Sequence, residues 1–86
     1  MKIDIFTKDD GPESREALAV GTLLAEEGSE VANLEWDSEE AKTLAQLYDI
    51  YSVPAVLVTS DSGLFIELWQ GEVPSVSDVR YKANNA

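Results

Sequence analysis

The sequence contains no cysteine and no histidine among its 86 residues. Without cysteine, the chain cannot form disulfides, thiolate nucleophiles, iron–sulfur ligands or the usual structural zinc cages. Without histidine, it lacks the commonest catalytic base and metal ligand. Most familiar catalysis is therefore excluded, and we predict no catalytic residue, no cofactor and no metal site.

Basic residues are also scarce: six Lys and Arg stand against 17 Asp and Glu, which gives a net charge of -11. This charge repels phosphate backbones and anionic lipid headgroups, so we expect neither nucleic acid nor membrane as a partner. High solubility, or a host with a salty cytoplasm, explains an acidic surface. The alternative explanation is a face that binds a basic protein partner.

Long apolar runs are absent as well. No run reaches the roughly 18 to 20 residues that a membrane-spanning helix needs, and the first residues do not resemble a secretion signal. We therefore expect a cytoplasmic protein. A chain of 86 residues has room for one core, which predicts a single domain over residues 1–86.

The first half of the chain predicts a strand, a helix and a second strand. Residues 2–7, KIDIFT, alternate with the two-residue period of a strand. In 10–13, DGPE, Asp10 supplies a capping side chain and Pro12 suits the first helical turn, and the helix ends before Gly28. Residues 30–36, EVANLEW, alternate with only one apolar side, which favours a strand near the sheet edge.

The second half predicts a helix, a hairpin and a short final helix. Asp37 and Glu40 have the spacing of a capping box for a helix that runs to about Tyr48. The apolar run 54–59 predicts a strand buried on both faces, and it pairs with 64–69 across a Ser-Asp-Ser-Gly turn. Residues 75–82 can form a helix with a serine cap, and 83–86 should fray.

The predicted order is β-α-β-α-β-β-α, an α/β fold. A right-handed crossover makes the first two strands parallel neighbours. The hairpin then completes a four-stranded mixed sheet with helices on both faces.

Three stretches, FTKDDGPES, SVPAVLV and WQGEVP, in this order and spacing resemble the thioredoxin fold and, within it, the glutaredoxin and NrdH-redoxin group. In that group a strand ending in aromatic-Thr-Lys leads to Cys-Pro-x-Cys at a helix start. Here Phe6-Thr7-Lys8 matches the lead-in and Pro12 the proline, but Gly11 and Ser14 stand at the cysteine positions. The resemblance covers nearly the whole chain and implies a thioredoxin-like fold.

Loss of both cysteines excludes thiol–disulfide exchange, because the reaction needs a thiolate. Ser14 offers a hydroxyl, but a serine nucleophile needs an adjacent base, which here could only be a carboxylate or a lysine. The resemblance implies that Lys8 lies beside the site, where relatives hold the carboxylate of glutathione. Asp9, Asp10 and Glu13 crowd the same corner, so we expect weak glutathione binding at best.

The resemblance also implies a peptide groove that does not depend on cysteine. In relatives, the residue before a cis-proline presents its main-chain N–H and C=O to an extended substrate; Val53 and Pro54 occupy those positions here, and a purely structural turn is an equal alternative. We predict a binding groove formed by Lys8, Gly11, Pro12, Ser14, Val53 and Pro54. Tyr51 and Trp69 could flank it, although core packing explains them as well. Trp36 should lie far from it, as a partner contact or simply half-buried.

Our leading hypothesis is a non-redox thioredoxin-fold binding or adaptor module that takes a protein or peptide partner. The alternative is a glutaredoxin-like enzyme in which glutathione or another thiol cofactor brings the sulfur and the protein positions it through Lys8 and Val53. A third explanation is artificial replacement of the two cysteines. Ser14 would be a natural replacement, but Gly11 would be an unusual one.

Overall fold

The computed structural model describes residues 1–85 and contains seven helices and strands in the predicted order. The elements are β1 (Lys2–Thr7), α1 (Pro12–Glu26), β2 (Glu30–Glu35), α2 (Glu39–Tyr48), β3 (Ala55–Thr59), β4 (Phe65–Gln70) and α3 (Val76–Asn84). The prediction of an α/β chain with four strands and three helices is therefore confirmed. Helix α3 extends two residues past its predicted end, and Ala86, the last residue expected to fray, lies outside the described residues.

The four strands form one mixed sheet in the order β2-β1-β3-β4. Strand β1 pairs in parallel with β2 and antiparallel with β3, while β3 and β4 form an antiparallel hairpin. The parallel pairing and the edge position of β2 confirm both sequence predictions. All five residues of β3 are buried, as the continuous apolar run indicated.

Two hydrophobic clusters lie on opposite faces of this sheet. On one face, Ile3 and Ile5 of β1 pack with residues of α1 and with Val79 of α3. On the other, Phe6 and Leu57 pack with Ala41 of α2. Burying a large apolar side chain contributes about 1.5–3 kcal/mol, so the two clusters supply the main force that holds helices to both faces.

The ends of the helices follow the predicted chemistry with one correction. Ser75 caps α3 by accepting a hydrogen bond from the Asp78 amide, and Gly28 after α1 has a φ of 96°. The capping box predicted from Asp37 and Glu40 is wrong, because the N-cap of α2 is Ser38. Its hydroxyl oxygen accepts a hydrogen bond from the Ala41 amide at 3.2 Å, and its O–H donates one to the Glu35 carbonyl at 2.7 Å.

Candidate functional site

The six residues predicted to form the groove lie together at the carboxyl end of β1. They line one open depression with a volume of about 390 Å³, between the start of α1 and the loop that precedes β3. These six residues are Lys8, Gly11, Pro12, Ser14, Val53 and Pro54. Asp9 and Glu13 line the same depression, although we predicted them only as negative charges near the groove.

Asp9 fixes the turn that leads into α1. Its Oδ1 accepts hydrogen bonds from the Gly11 amide at 2.9 Å and from the Ser14 hydroxyl at 3.3 Å. The predicted capping role of Asp10 is wrong, because Gly11 occupies the N-cap position and no side chain caps the helix there. The Asp9 carboxylate, two residues before the N-cap, instead accepts the hydrogen bond that closes a short turn. Pro12 follows this turn at the first helical position.

Ser14 is 5% exposed, and its hydroxyl donates a hydrogen bond to Asp9 Oδ1. A serine nucleophile needs a base that is oriented by a third group and can take the proton at neutral pH. Among residues 1–85 the hydroxyl has only the Asp9 carboxylate, which the Gly11 amide also engages. This arrangement holds the first turn of α1 in place.

The rim of the depression carries more negative than positive charge. Asp9, Asp10 and Glu13 are all exposed. Arg15 directs its guanidinium to the Asp10 carbonyl at 2.9 Å, and Lys8 is exposed without an ion pair to any residue of the described chain. Among residues 1–85, Lys8 is therefore the one cation that lines the depression.

The loop before β3 is held by β4. The amides of Tyr51 and Ser52 both donate to Oε1 of Gln70, at 2.9 and 3.2 Å, and the Gly71 amide donates to the Pro54 carbonyl at 2.9 Å. The bond between Val53 and Pro54 is cis. The main-chain N–H and C=O of Val53 form no hydrogen bond within residues 1–85, which leaves one unpaired donor and acceptor in a loop whose neighbours are fixed.

Three aromatic residues considered from the sequence lie outside this site. Tyr51 is 80% exposed and does not line the depression, and Trp69 packs against the core on the α1 face. Trp36 is half-buried and packs edge-on against Phe6, with ring centroids 6.5 Å apart, which accounts for it by packing alone. Gln70 and Gly71 belong to the WQGEVP stretch that supports the resemblance, but their hydrogen bonds to the loop before β3 were not predicted.

Residues 1–85 contain no cluster of three or more acidic side chains arranged to hold a metal ion. None of the three helices in this part of the chain has the length and apolar character needed to cross a bilayer.

Similarity to known proteins is visible in three dimensions and not in sequence. No protein-family model and no curated protein matches the chain. Thioredoxin 1 from Thermosipho africanus TCF52B superposes with a TM-score of 0.73 at 17% identity, covering 99% of this chain and 92% of that one. An uncharacterized thioredoxin-like protein from Clostridium perfringens gives 0.71 at 21% identity, covering 98% and 68%. With the element order β-α-β-α-β-β-α, a four-stranded mixed sheet and these superpositions, the chain has the thioredoxin-like fold, in a version that contains no cysteine.

Proposed function

We propose that the chain is a non-redox binding or adaptor module whose depression beside Pro54 takes an extended segment of a partner protein. The observation that carries the proposal is Val53, whose main-chain donor and acceptor are unpaired within residues 1–85 while the loop on both sides of it is fixed. An extended peptide adds to such a site as a strand does, through main-chain hydrogen bonds. Recognition of this kind does not need a thiol.

The size of the depression supports a short segment and not a whole domain. Its volume of about 390 Å³ is at the small end of the range for ligand sites, enough for a few side chains of an extended peptide. The rest of the binding energy would come from main-chain pairing at Val53 and from contacts along the loop. Affinity for an isolated peptide should therefore be modest, in the range of transient recognition.

The charges at the rim favour a basic segment. Asp9 and Glu13 line the depression with Lys8, and Asp10 lies beside them, so an acidic peptide would meet net repulsion. The whole chain adds a net charge of -11. Complementary charge raises the association rate and is screened by salt, which makes the salt dependence of binding a direct measure of this part of the proposal.

The test uses peptides selected from a random display library against the wild-type protein, followed by NMR titration. We expect shifts at Lys8, Gly11 and Val53, and weaker binding as salt is raised. Gly11→Leu should weaken binding at least tenfold, because the new side chain enters the depression. The Gly11 backbone is compatible with a side chain, since φ is -64°. An added Cβ would lie 3.0 Å from Asp9 Oδ1, so the Asp9 side chain must shift by a few tenths of an ångström.

Ala19→Leu is the matched control, because it adds the same side chain to an exposed position of α1 away from the depression. Equal binding by Gly11→Leu, or shifts that cluster at Trp36 and β2, would place recognition elsewhere and contradict the proposal. Glutathione is titrated in parallel. Saturable glutathione binding at Lys8 and Val53 would favour the thiol-cofactor alternative instead.

A further inference from the structure

A second depression lies at the other end of β1, between the sheet and α2. Its volume is about 310 Å³, and its walls come from the starts of β1 and β2, the end of β3 with the following turn, and the second half of α2. None of the residues lining it lines the depression at Pro54. It is therefore a separate site, independent of the peptide groove.

Asp4 is the unusual residue of this second depression. It lies on β1, an interior strand that pairs with β2 on one side and β3 on the other. Its side chain is 2% exposed and faces α2, as that of Phe6 does. Its Oδ1 has no hydrogen-bond partner within residues 1–85. The nearest cation, the Lys2 ammonium, is 3.8 Å from this oxygen, beyond hydrogen-bond distance.

An unpaired carboxylate oxygen in a buried position is rare, because desolvation of a charged group is offset only when hydrogen bonds replace its water. Asp4 also lines the depression, but its Oδ1 is closed to solvent, so a ligand that bonds to this oxygen must first displace a neighbouring side chain such as Lys2. The missing interaction is a hydrogen bond to Asp4 Oδ1. The oxygen requires a donor, and because the carboxylate is negative, a positively charged donor satisfies it best.

The surrounding charges leave room for one more cation. Asp61 is already paired with the Met1 amino group at 2.6 Å. Lys2 remains to balance Asp4 and Glu30, and Glu30 forms no ion pair in the described chain. One positive charge therefore faces two negative ones.

The walls of the depression also limit the shape of a ligand. Leu44 and Tyr48 of α2 supply hydrocarbon surface beside the charged floor. The Tyr48 hydroxyl is occupied, since it donates to the Gly63 carbonyl. A ligand that fits has a charged donor at one end and a short apolar chain that lies against these two side chains.

We propose that this depression binds a short aliphatic primary amine, whose ammonium group donates a hydrogen bond to Asp4 Oδ1 and whose alkyl chain packs against Leu44 and Tyr48. An ammonium group suits the site because it carries three donors and no acceptor. An anion would be repelled by Asp4 and Glu30. A neutral alcohol would donate a hydrogen bond but leave the charge unbalanced.

The experiment titrates n-butylammonium into the wild-type protein at constant ionic strength and follows backbone amide shifts by NMR. We expect saturable shifts centred on Asp4, Thr59 and Gly63. Two probes separate charge from hydrogen bonding: 1-butanol has the same chain without the charge, and tetramethylammonium has the charge without an N–H donor. Neither should produce the same saturable shifts.

Asp4→Asn removes the negative charge at nearly constant size, and we expect it to weaken n-butylammonium binding at least tenfold. Glu16→Gln is the matched control, because it removes one exposed carboxylate from α1, on the opposite face of the sheet. Circular dichroism and thermal unfolding of each variant establish that it is folded, so that a loss of binding reports on the site.

Binding should also weaken at low pH. Burial raises the pKa of Asp4 above its ordinary value of 3.8, and protonation would remove the acceptor charge. The groups that face Asp4 from the packed elements are Lys2 on β1, Glu30 on β2, Glu40 and Tyr48 on α2, and Asp61 in the turn after β3. Glu30→Gln therefore serves as a second variant: a pH dependence that it leaves in place does not come from Glu30, and one that Asp4→Asn removes comes from Asp4.

Four results would overturn the proposal. Three of them are no saturable shift with n-butylammonium, equal shifts with 1-butanol or tetramethylammonium, and unchanged affinity in Asp4→Asn. A loss of affinity in Glu16→Gln equal to that in Asp4→Asn would reduce the effect to bulk charge and would also overturn it. Saturation by n-butylammonium, abolished by Asp4→Asn alone, supports the site.

Discussion

Gly21 allows α1 to approach the sheet closely, and replacing it tests how the first core cluster is packed. The residue is buried on α1. A Cβ added there would lie 2.3 Å from Cδ1 of Ile5 and 3.3 Å from Cγ1 of Val31. Ile5 is fully buried in the first core cluster, so its terminal methyl group can make room only by repacking within that cluster. We predict that Gly21→Ala destabilises the protein.

The magnitude is the difference of two effects. Overpacking a filled core costs about 1–3 kcal/mol. Alanine in place of glycine within a helix returns about 0.8–1.0 kcal/mol. The expected net loss is about 0–2 kcal/mol in the free energy of unfolding, measured by urea denaturation. For a domain of this size, each 1 kcal/mol corresponds to a fall of about 4–8 °C in Tm.

A second substitution tests the named contact. Ile5→Val removes Cδ1 and alone should cost about 0.5–1.5 kcal/mol. In the double variant the alanine methyl occupies the vacated space, so the loss should be smaller than the sum of the single losses. Coupling of about 0.5 kcal/mol or more is expected, within the range for residues in contact.

Ile3→Val is the matched control for this cycle. Ile3 is buried in the same cluster, yet none of the three atoms nearest to a Cβ at Gly21 belongs to it. Its combination with Gly21→Ala should be additive. If Gly21→Ala alone raises the free energy of unfolding, the gain in helix propensity exceeds the cost of overpacking. That result would refute a tight contact between α1 and Ile5 at this position.

Three further predictions concern single hydrogen-bonding or charged groups. Gln70→Ala removes the acceptor of two loop amides; we expect a loss of about 1–2 kcal/mol and faster hydrogen exchange at Tyr51 and Ser52, and unchanged exchange there would contradict the assignment. Ser38→Ala should cost about 1 kcal/mol by loss of the α2 cap, whereas Asp37→Ala, which removes no cap, should cost less in the same urea titration. For Asp4, a pKa raised by burial means that the native state holds the proton more tightly than the unfolded state, so this carboxyl destabilises the fold as pH rises above 3.8 through the raised pKa. Asp4→Asn should therefore gain stability relative to wild type over that rise, and a difference that stays constant with pH would count against the burial effect.

The sequence predicted the fold well because its strongest signals come from periodicity and turn chemistry. Alternation in β1, the apolar run of β3 and the helix stop at Gly28 each depend on a few neighbouring residues, and all agree with the structure. Six predicted groove residues also lie around one depression, because their positions follow from the ends of β1, α1 and β3. That they bind a partner stays a prediction.

The errors arise where neighbouring residues have equivalent chemistry. Asp37 and Ser38 are both good caps, and a sequence cannot tell which of two adjacent residues has the extended backbone of the N-cap. The same one-residue shift moved the turn-closing role from Asp10 to Asp9. The burial of Asp4 was beyond reach for another reason: alternation placed it on the face of Phe6, but only the packing of α2 decides whether that end of the strand meets water.

The contacts that shape the depression at Pro54 explain how it persists without cysteine. The turn into α1 depends on the Asp9 carboxylate, and the loop before β3 depends on the Gln70 amide and the Gly71 main chain. None of these groups takes part in thiol chemistry, which requires a thiolate at the helix start. Geometry and redox chemistry are therefore separable in this fold, because the hydrogen bonds that fix the groove are distinct from the atoms that would react in it.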